Sequence, residues 1–416
     1  MTVTVFGLGF VGLTTALGLA SKGHQVYGFD VDTARRETIA SGHLPFLEPG
    51  LDDALQQELG QHFHLTDTPA HAVSQSECVF FCVGTPYGDN GQADLTYLFS
   101  AVDLALAGTD GEKFRVFVVK STVPPSTVQE RLIPYLKEHS EFYGRTLGAA
   151  NNPEFLREGH CWEDFIHADR IVLGVCDPHS EQLLRELYRD FACPIFAVTP
   201  NTGEFIKYLS NSLLATMISY SNEMSLLADA VGGIEVAQAF RVLHMDKRWG
   251  GCNMTSYVYP GCGYGGYCLP KDTNALLALS RAKGFEPGIL AHVIDTNDQM
   301  PARIAERIMK QADPQAHIAI LGLSFKPGSD DVRQSPAAPI LRILQQNGYH
   351  NLTAYDPVAN ALFAQTYPDI RLQYQDSMKQ AVDGAAFAVI LTAWPEFADV
   401  KQHTGAVIVD CRYMLP

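Results

Sequence analysis

The chain has 416 residues, of which 46% are hydrophobic and 18% charged, which is enough for two or three domains with cores of their own. Thirty basic residues against 46 acidic ones give a net charge of −16, and this charge disfavours binding to nucleic acid phosphates. No apolar run reaches the about 20 residues that span a bilayer, and no basic cluster suits a membrane surface, so neither nucleic acid nor a membrane is an expected partner.

Nine cysteines are scattered along the chain, an odd number without the dense spacing of a disulfide scaffold. The apolar stretch from Val3 to Ala20 lacks a preceding Lys or Arg and is interrupted by glycines, so it is not interpreted as a signal segment. We therefore expect a reducing, cytoplasmic location.

Short β-rich runs, turns and amphipathic helical stretches alternate over the first two hundred or so residues. This alternation is typical of a parallel sheet covered by helices on both faces. The predicted strands are Thr2–Phe6, Gln25–Phe29, Cys78–Val83, Val116–Lys120 and Arg170–Val175.

A long helix is predicted from Thr202 to about Val231, and such a helix commonly joins domains or builds a dimer contact. Strand-like runs then resume near residue 315. We predict an α/β fold with two Rossmann-like, doubly wound parallel-sheet domains joined by a long central helix, divided as 1–200, 201–312 and 313–416. The predicted strands of the last region are His317–Leu321, Asn351–Tyr355, Ala386–Leu391 and Ala406–Val409.

The first strand-to-helix turn reads Gly7-Leu8-Gly9-Phe10-Val11-Gly12. Glycines at these positions allow a tight turn, the approach of a pyrophosphate and close packing of helix on strand. The second strand ends at Asp30, where a carboxylate can bind the ribose hydroxyls of NAD and repel the extra phosphate of NADP. A merely Gly-rich turn is the alternative, and Arg35 is a sign in favour of NADP.

Polar residues follow two later strands, at Thr85-Pro86 and at Thr122. The carboxyl ends of such strands face the ligand crevice, so these residues are candidate cofactor contacts. Threonines that only cap the following turns would look the same.

Cys268 lies in a Gly-rich segment just before Pro270, Lys271 and Asp272. Pro270 suits the first turn of a helix, which places Cys268 at a helix N-terminus that stabilises a thiolate. A thiol with an adjacent cation and carboxylate indicates covalent catalysis, whereas a buried structural cysteine is the usual alternative. A zinc site built from Cys252, Cys262 and Cys268 is disfavoured by their spacing.

Three further groups of polar residues are candidates for the site, and ordinary solvent-exposed residues would look the same. Lys207 and Asn211 are four residues apart on the long helix and suggest a site wall. Asn152-Pro153-Glu154-Phe155 lies in a predicted loop, and Lys326 and Arg333 flank a Pro-Gly turn where cations can meet a diphosphate.

Together these segments resemble the UDP-glucose/GDP-mannose dehydrogenase family, over nearly the whole chain and in the family's order. The form of the segment Gly263–Thr273 is similar to that of the bacterial UDP-glucose 6-dehydrogenases of this family. Asp246-Lys247-Arg248 matches a family arginine that reaches the neighbouring subunit's substrate, although its spacing from Cys268 is longer than the family's.

The resemblance implies an NAD-dependent, four-electron oxidation of the C6 alcohol of UDP-glucose to UDP-glucuronate through a thiohemiacetal and a thioester on Cys268, in a homodimer formed by the central helix, with no metal. The implied catalytic residues are Cys268, Lys207, Asn211, Asp272, Glu154 and Thr122. The implied cofactor contacts are Gly7, Gly9, Phe10, Val11, Gly12, Asp30, Arg35, Thr85, Pro86, Thr122, Glu154, Lys271 and Arg333. The implied substrate contacts are Glu154, Phe155, Lys207, Asn211, Arg248, Tyr257, Gly265 and Lys326.

Alternatives remain within and beyond this family. The same chemistry on a UDP-N-acetylhexosamine or on GDP-mannose would use the same residues. A two-electron hydroxyacid dehydrogenase would share the N-terminal fold without needing Cys268, and a non-catalytic nucleotide sensor would share the scaffold alone.

Overall fold

The computed structural model describes residues 1–88, 91–246, 258–284 and 287–415. The chain divides into two compact units, Met1–Leu209 and Ser210–Pro416. Within the described residues, no helix combines the length and the apolar character that crossing a membrane requires.

The first unit is built on a single sheet of eight strands in the order 3-2-1-4-5-6-7-8. All neighbouring strands are parallel except the sixth and seventh, which pair antiparallel through Ala150 and Val175. The strands are β1 (Thr2–Phe6), β2 (Gln25–Phe29), β3 (Phe63–Leu65), β4 (Cys78–Phe81), β5 (Arg115–Val119), β6 (Leu147–Asn151), β7 (Ile171–Val175) and β8 (Ile195–Val198).

Helices connect these strands and cover the sheet. A π-helical turn at Val128–Leu132 leads directly into the sixth of them. They are α1 (Phe10–Ala20), α2 (Thr33–Ala40), α3 (Leu51–Glu58), α4 (Pro69–Gln75), α5 (Thr96–Leu106), α6 (Ile133–His139), α7 (Cys161–Ile166) and α8 (Pro178–Leu187).

The central strands bury both of their faces, which explains their continuous apolar sequences. Successive side chains of a strand point to opposite faces, and along β4 Phe80 belongs to one core cluster while Phe81 belongs to another. The same alternation separates Val118 from Val119 on β5. The sheet is therefore packed between two apolar layers, which hold the carboxyl ends of its strands in place relative to one another.

The five strands predicted for this unit are present, with ends shifted by at most two residues. Three strands were not predicted, because β3 has only three residues, β6 reads Leu-Gly-Ala-Ala-Asn with few β-favouring side chains, and β8 is only partly buried. The expectation of a wholly parallel sheet is wrong at the β6–β7 pair, where a reversal of chain direction leaves no periodicity signal.

The long helix is confirmed as α9 (Pro200–Val231), and it carries the chain from the first unit into the second. The second unit has a parallel five-stranded sheet in the order 11-10-9-12-13. Its strands are β9 (Ile318–Leu321), β10 (Leu352–Tyr355), β11 (Gln373–Tyr374), β12 (Phe387–Ile390) and β13 (Val407–Asp410). Its helices are α10 (Val236–His244), α11 (Cys268–Ala282), α12 (Gly288–Met309), α13 (Ala337–Gln346), α14 (Asn360–Thr366), α15 (Met378–Val382) and α16 (Val400–His403).

The turn after β9 repeats the local geometry of the turn after β1. Gly322 has a φ of 95° and Gly7 a φ of 86°, and each amide donates to the last carbonyl of the next strand of its sheet. In the second unit the carboxylate of Asp356 accepts hydrogen bonds from the amides of Leu323 and Ser324 at 2.8 and 2.9 Å. The two sheets and their strand orders confirm the prediction of two doubly wound units. In the second unit, β11 is the strand that was not predicted.

Candidate active site

The glycine loop after β1 has the shape that a dinucleotide requires. Gly7 has a φ of 86°, which favours glycine, and a Cβ on Gly12 would lie 1.7 Å from the Gly7 carbonyl oxygen. A Cβ on Gly9 would meet no atom within 4 Å, so the backbone at the start of α1 faces open space. These residues therefore fit the pyrophosphate of NAD at a helix N-terminus.

Asp30, at the end of β2, is 3% exposed and is held by three donors. Its Oδ2 accepts from the Leu8 amide at 2.7 Å and from Arg35 Nη1 at 2.9 Å, and its Oδ1 accepts from the Asp32 amide at 2.9 Å. Arg35 is therefore engaged by the carboxylate rather than free for a 2′-phosphate. The pairing favours NAD over NADP, as the sequence predicted.

Replacing Asp30 with asparagine is expected to reduce the preference for NAD over NADP. The change keeps an acceptor for Leu8 but removes the charge that pairs with Arg35 and repels a 2′-phosphate. Charged hydrogen bonds contribute about 1.5–3 kcal/mol, so we expect kcat/KM with NAD to fall roughly 10- to 100-fold while that with NADP rises. Asp32→Asn is the matched control, since Asp32 caps α2 through the Arg35 amide. Equal effects of the two changes on the NAD/NADP ratio would contradict the assignment.

The strand-end residues of β4 and β5 are tied together by hydrogen bonds. The Thr85 hydroxyl donates to the Thr122 carbonyl at 2.8 Å, and the Ser121 hydroxyl donates to the Val83 carbonyl at 2.6 Å. Thr85 is buried, whereas Pro86 and Thr122 are partly exposed. Thr85 thus fixes the loop, and the Thr122 side chain is the better candidate for a contact with a ligand.

Glu154 and Lys207 form a buried ion pair, which joins the loop after β6 to the start of α9. Lys207 Nζ lies 2.8 Å from Glu154 Oε1, and Glu154 Oε2 accepts from the Leu156 amide at 2.6 Å. Burial alone raises the pKa of Glu154, but Lys207, the Leu156 amide and Lys120 together hold it below its ordinary value. The centre of the Phe155 ring lies 4.1 Å from the Arg170 guanidinium carbon and 5.9 Å from Lys207 Nζ.

Sequence reasoning selected Asn152 but not the two residues that donate to its side-chain oxygen, Lys120 and Tyr188. Lys120 Nζ donates to Asn152 Oδ1 at 2.9 Å, and the Tyr188 hydroxyl donates to the same oxygen at 2.6 Å. Lys120 had been assigned only as the end of a predicted strand. A buried lysine at the carboxyl end of a central parallel strand is itself a signal, because such strand ends face the ligand crevice.

Glu204, three residues before Lys207, was also not selected. Its Oε1 accepts from the Val128 amide at 2.9 Å at the beginning of the π-helical turn. Burial raises the pKa of this carboxyl to about 8. Glu204 therefore connects α9 to the loop that follows Thr122, in which Ser126 adopts a φ of 78°.

In the second unit, Cys268 is the first residue of α11, as its sequence predicted. It is partly exposed and forms no disulfide. Lys271, one turn further on, interacts electrostatically with the Cys268 thiol. A helix N-terminus and a nearby cation both favour the thiolate over the thiol, so the position suits a nucleophile.

Asp272 is 1% exposed and is held from two sides. Lys271 Nζ lies 2.6 Å from Asp272 Oδ1, and Asn211 Nδ2 donates to Asp272 Oδ2. The pairing with Asp272 and with the Cys268 sulfur raises the pKa of Lys271, although burial opposes it. The structure thus brings Asn211, Asp272, Lys271 and Cys268 together around the beginning of α11.

The glycine segment before Cys268 packs against the turn after β9. A Cβ on Gly265 would lie 2.3 Å from the Gln334 carbonyl oxygen. The guanidinium carbon of Arg333 lies 4.7 Å from the centre of the Tyr267 ring. Arg333 also forms a bidentate pair with Asp331, from Nε to Oδ1 and from Nη2 to Oδ2. Lys326 is partly exposed near Phe325, on the other side of the Pro-Gly turn.

Two predicted substrate contacts, Arg248 and Tyr257, lie outside the described residues, as does Cys252. Among the residues that are described, no group of three His, Cys, Asp or Glu side chains is arranged to hold a metal ion.

Comparison with known proteins identifies the family to which these clusters belong. Three models of the UDP-glucose/GDP-mannose dehydrogenase family match the chain: the NAD binding domain at residues 1–192, the central domain at 201–299 and the UDP binding domain at 319–416. The chain belongs to the UDP-glucose/GDP-mannose dehydrogenase family. The predicted resemblance and the NAD cofactor are thereby confirmed.

Curated and solved relatives align over nearly the full length. The chain is 36% identical to a UDP-glucose 6-dehydrogenase of Pseudomonas aeruginosa, over 95% of this chain and 88% of that protein. A UDP-glucose dehydrogenase of Pyrobaculum islandicum superposes with a TM-score of 0.91 at 34% identity, covering 99% of this chain and 94% of that one. A UDP-D-ManNAc dehydrogenase of Pyrococcus horikoshii superposes with a TM-score of 0.86 at 29% identity, covering 100% and 96%.

Proposed function

We propose that this protein catalyses the NAD-dependent oxidation of the C6 alcohol of UDP-glucose to the carboxylate of UDP-glucuronate. The observation that carries the proposal is the position of Cys268 at the beginning of α11, beside Lys271 and Asp272. A two-electron alcohol dehydrogenase needs no nucleophile, whereas oxidation of an aldehyde to an acid is made easier by a covalent adduct. The UDP-glucose 6-dehydrogenases among the relatives support the choice of sugar.

NAD, when bound, supplies the hydride acceptor for both oxidations. Gly7, Gly9, Gly12 and Asp30 would hold it, because the loop fits a pyrophosphate and the carboxylate suits ribose hydroxyls. Thr122, Lys271 and Arg333 are proposed as further contacts. Overall, the alcohol and one water molecule become a carboxylate, with loss of two hydrides and three protons.

In the first oxidation the alcohol loses its hydroxyl proton and a hydride. Lys207 and Asn211 can stabilise the negative charge that develops on the oxygen, since each offers an N–H donor from a buried position. Asp272, which accepts a hydrogen bond from Asn211, orders that amide. The aldehyde that results is the electrophile for the next step.

Cys268 then adds to the aldehyde, and its sulfur forms a bond to C6 while the carbonyl oxygen becomes a hydroxyl. Loss of a second hydride converts this thiohemiacetal to a thioester. Water then replaces the sulfur at C6, which releases the carboxylate and returns the thiol. Glu154 and Asp272 are the proposed bases for that water, with Thr122 as the hydroxyl that orients it.

The experiment that tests this function is the stoichiometry of the reaction. Purified protein incubated with UDP-glucose and NAD is expected to form two NADH for each UDP-glucuronate, measured by absorbance and by chromatography of the nucleotide sugars. One NADH per product would indicate a two-electron dehydrogenase, and no NADH with any sugar would indicate a non-catalytic nucleotide sensor. Parallel incubations with UDP-galactose, UDP-N-acetylhexosamines and GDP-mannose test the alternative substrates, of which an N-acetylhexosamine is favoured by the likeness to the UDP-D-ManNAc dehydrogenase.

We also propose that α9 forms a homodimer contact. Four apolar side chains on this helix are between 47% and 54% exposed in the single chain: Phe205, Leu209, Leu213 and Tyr220. The first three follow at intervals of four residues, which places them along one face. Burial of this face by a second copy would remove apolar surface from water, and sedimentation equilibrium would detect the dimer.

The predicted division into an NAD-binding region at 1–200, a central region at 201–312 and a UDP-sugar-binding region at 313–416 is retained as a proposal, supported by the three family domains. A cytoplasmic location is likewise proposed. Its support is that the eight cysteines within the described residues are all free thiols, which suits a reducing compartment.

A further inference from the structure

A buried lysine that no step of the proposed mechanism uses lies beside the Glu154–Lys207 pair. Lys120 directly follows β5, and Asn152 directly follows β6. Because Val119 and Asn151 are paired in the parallel register of these two strands, the next residues of both strands lie side by side. Lys120 is 4% exposed and Asn152 is 2% exposed.

The Asn152 amide is fixed in one orientation by its neighbours. Its Nδ2 donates to the Val172 carbonyl at 2.8 Å, so its Oδ1 is the atom that faces Lys120 and Tyr188. Lys120 Nζ also lies 3.4 Å from the Asn152 carbonyl oxygen. The ammonium group is therefore anchored by acceptors of the strand-end segment that continues into Glu154.

The charges around Lys120 define its electrostatic role. Glu154 is the anion of the cluster, Lys207 is the other cation, and the Cys82 thiol is a further neighbour. The Phe165 ring lies 5.8 Å from Lys120 Nζ and offers its face to the cation. Glu154 thus has two lysines as electrostatic neighbours, and all three side chains are buried, where charge interactions are stronger than at the surface.

We propose that Lys120 is a positioning residue of the active site, whose ammonium group, anchored by Asn152, is the second cation that keeps the Glu154 carboxylate charged and aligned with Lys207. The inference rests on the proposed function, because it concerns the carboxylate that activates water or holds the substrate. It adds a residue, and a reason for its burial, to that site.

The titration of Lys120 supports this role. Burial lowers the pKa of Lys120 to about 8, and Lys120 in turn helps to lower the pKa of Glu154. At this one side chain, the unfolded state therefore binds more protons than the folded state between about pH 8 and the ordinary lysine pKa of 10.5. Since stability rises with pH wherever the unfolded state binds more protons, the contribution of Lys120 to stability becomes more favourable as the pH rises through this window.

The variant Lys120→Met tests the inference through two measurements. The first is activity against pH: without the second cation the pKa of Glu154 rises, so the acidic limb of kcat should move toward neutral pH by on the order of one unit. The second is thermal unfolding between pH 7.5 and 10: the stability of the wild type relative to the variant should increase as the pH rises through this range. The second measurement needs neither substrate nor cofactor.

Three further variants separate charge from packing. Lys120→Gln keeps a donor for Asn152 without the charge and should behave like Lys120→Met, so it serves if the methionine variant does not fold. Tyr188→Phe removes the other donor to Asn152 Oδ1 and should leave both pH profiles unchanged. Lys113→Met removes a half-exposed lysine paired with Glu77, just before β5, and should also leave them unchanged.

An unshifted acidic limb together with an unchanged stability profile in Lys120→Met would overturn the inference. Equal shifts in Tyr188→Phe would also overturn it, because they would show that the orientation of Asn152, and not the charge, is responsible. If the wild-type protein formed no NADH with any nucleotide sugar, the proposed function would fail. The stability profiles would still decide whether Lys120 carries the buried charge.

Discussion

The variant Cys268→Ala is expected to bind NAD and UDP-glucose as the wild type does but to form almost no UDP-glucuronate. The thiol lies at the beginning of α11 with Lys271 nearby, and the glycine loop proposed to hold the dinucleotide belongs to the other compact unit. Removing the nucleophile leaves binding intact and removes only the covalent step. Loss of a nucleophile of this kind reduces turnover by on the order of 10³-fold or more.

Calorimetric titration with NAD and with UDP-glucose, and chromatography of the nucleotide products, measure the two parts of this expectation. Cys176→Ala is the matched control, because Cys176 is an exposed free thiol after β7. Wild-type turnover in Cys268→Ala would exclude a covalent intermediate. Equal losses in both variants would point to general damage rather than to chemistry at one sulfur.

The variant Lys207→Met is expected to retain the fold with reduced stability and to lose roughly 10²- to 10³-fold in kcat. Glu154 would keep the Leu156 amide but would lose the cation 2.8 Å away. Breaking a buried ion pair by removing one partner costs about 3–5 kcal/mol, because the other charge stays buried. In this case Glu154 is expected to take up a proton instead, so the acidic limb of the residual activity should move to higher pH.

Steady-state kinetics across pH and thermal unfolding test this expectation. Arg185→Met provides the control, because it breaks the exposed pair of Arg185 with Glu181 on α8, and such pairs contribute about 0–1 kcal/mol. Lys207→Arg keeps the charge and should recover part of the activity. A Lys207→Met enzyme with wild-type kcat would remove Lys207 from the mechanism.

Local sequence signals predicted the framework of both units. The glycine loop and Asp30 were recognisable because a tight turn and a carboxylate after the second strand occur at fixed distances along the chain. The position of Cys268 followed from Pro270, which suits the first turn of a helix. These features depend on neighbours within a few tens of residues.

The polar clusters could not be predicted in the same way. Lys120 and Asn152 are 32 positions apart, and Asn211 and Asp272 are 61 apart. Nothing in the local pattern indicates which of several polar strand ends and helix turns come together. Their burial and their pairing follow from tertiary packing. The spacing of apolar residues predicts helices and strands but not which distant polar side chains will meet.

The glycine turn that is repeated in the two units is followed by Asp30 in the first and by Asp356 in the second. The two carboxylates differ in how many further hydrogen bonds they can accept. Asp356 receives the Leu323 and Ser324 amides, the Ser324 hydroxyl and the Trp394 indole on one oxygen, and the Val358 and Ala359 amides on the other. A carboxylate offers about four lone-pair positions, so this one is saturated by its own polypeptide. A sugar hydroxyl could bind to Asp356 only by replacing one of these internal hydrogen-bond donors. Asp30 accepts from three donors, so it keeps acceptor capacity for the proposed ribose contact, whereas Asp356 is fully used by internal hydrogen bonds.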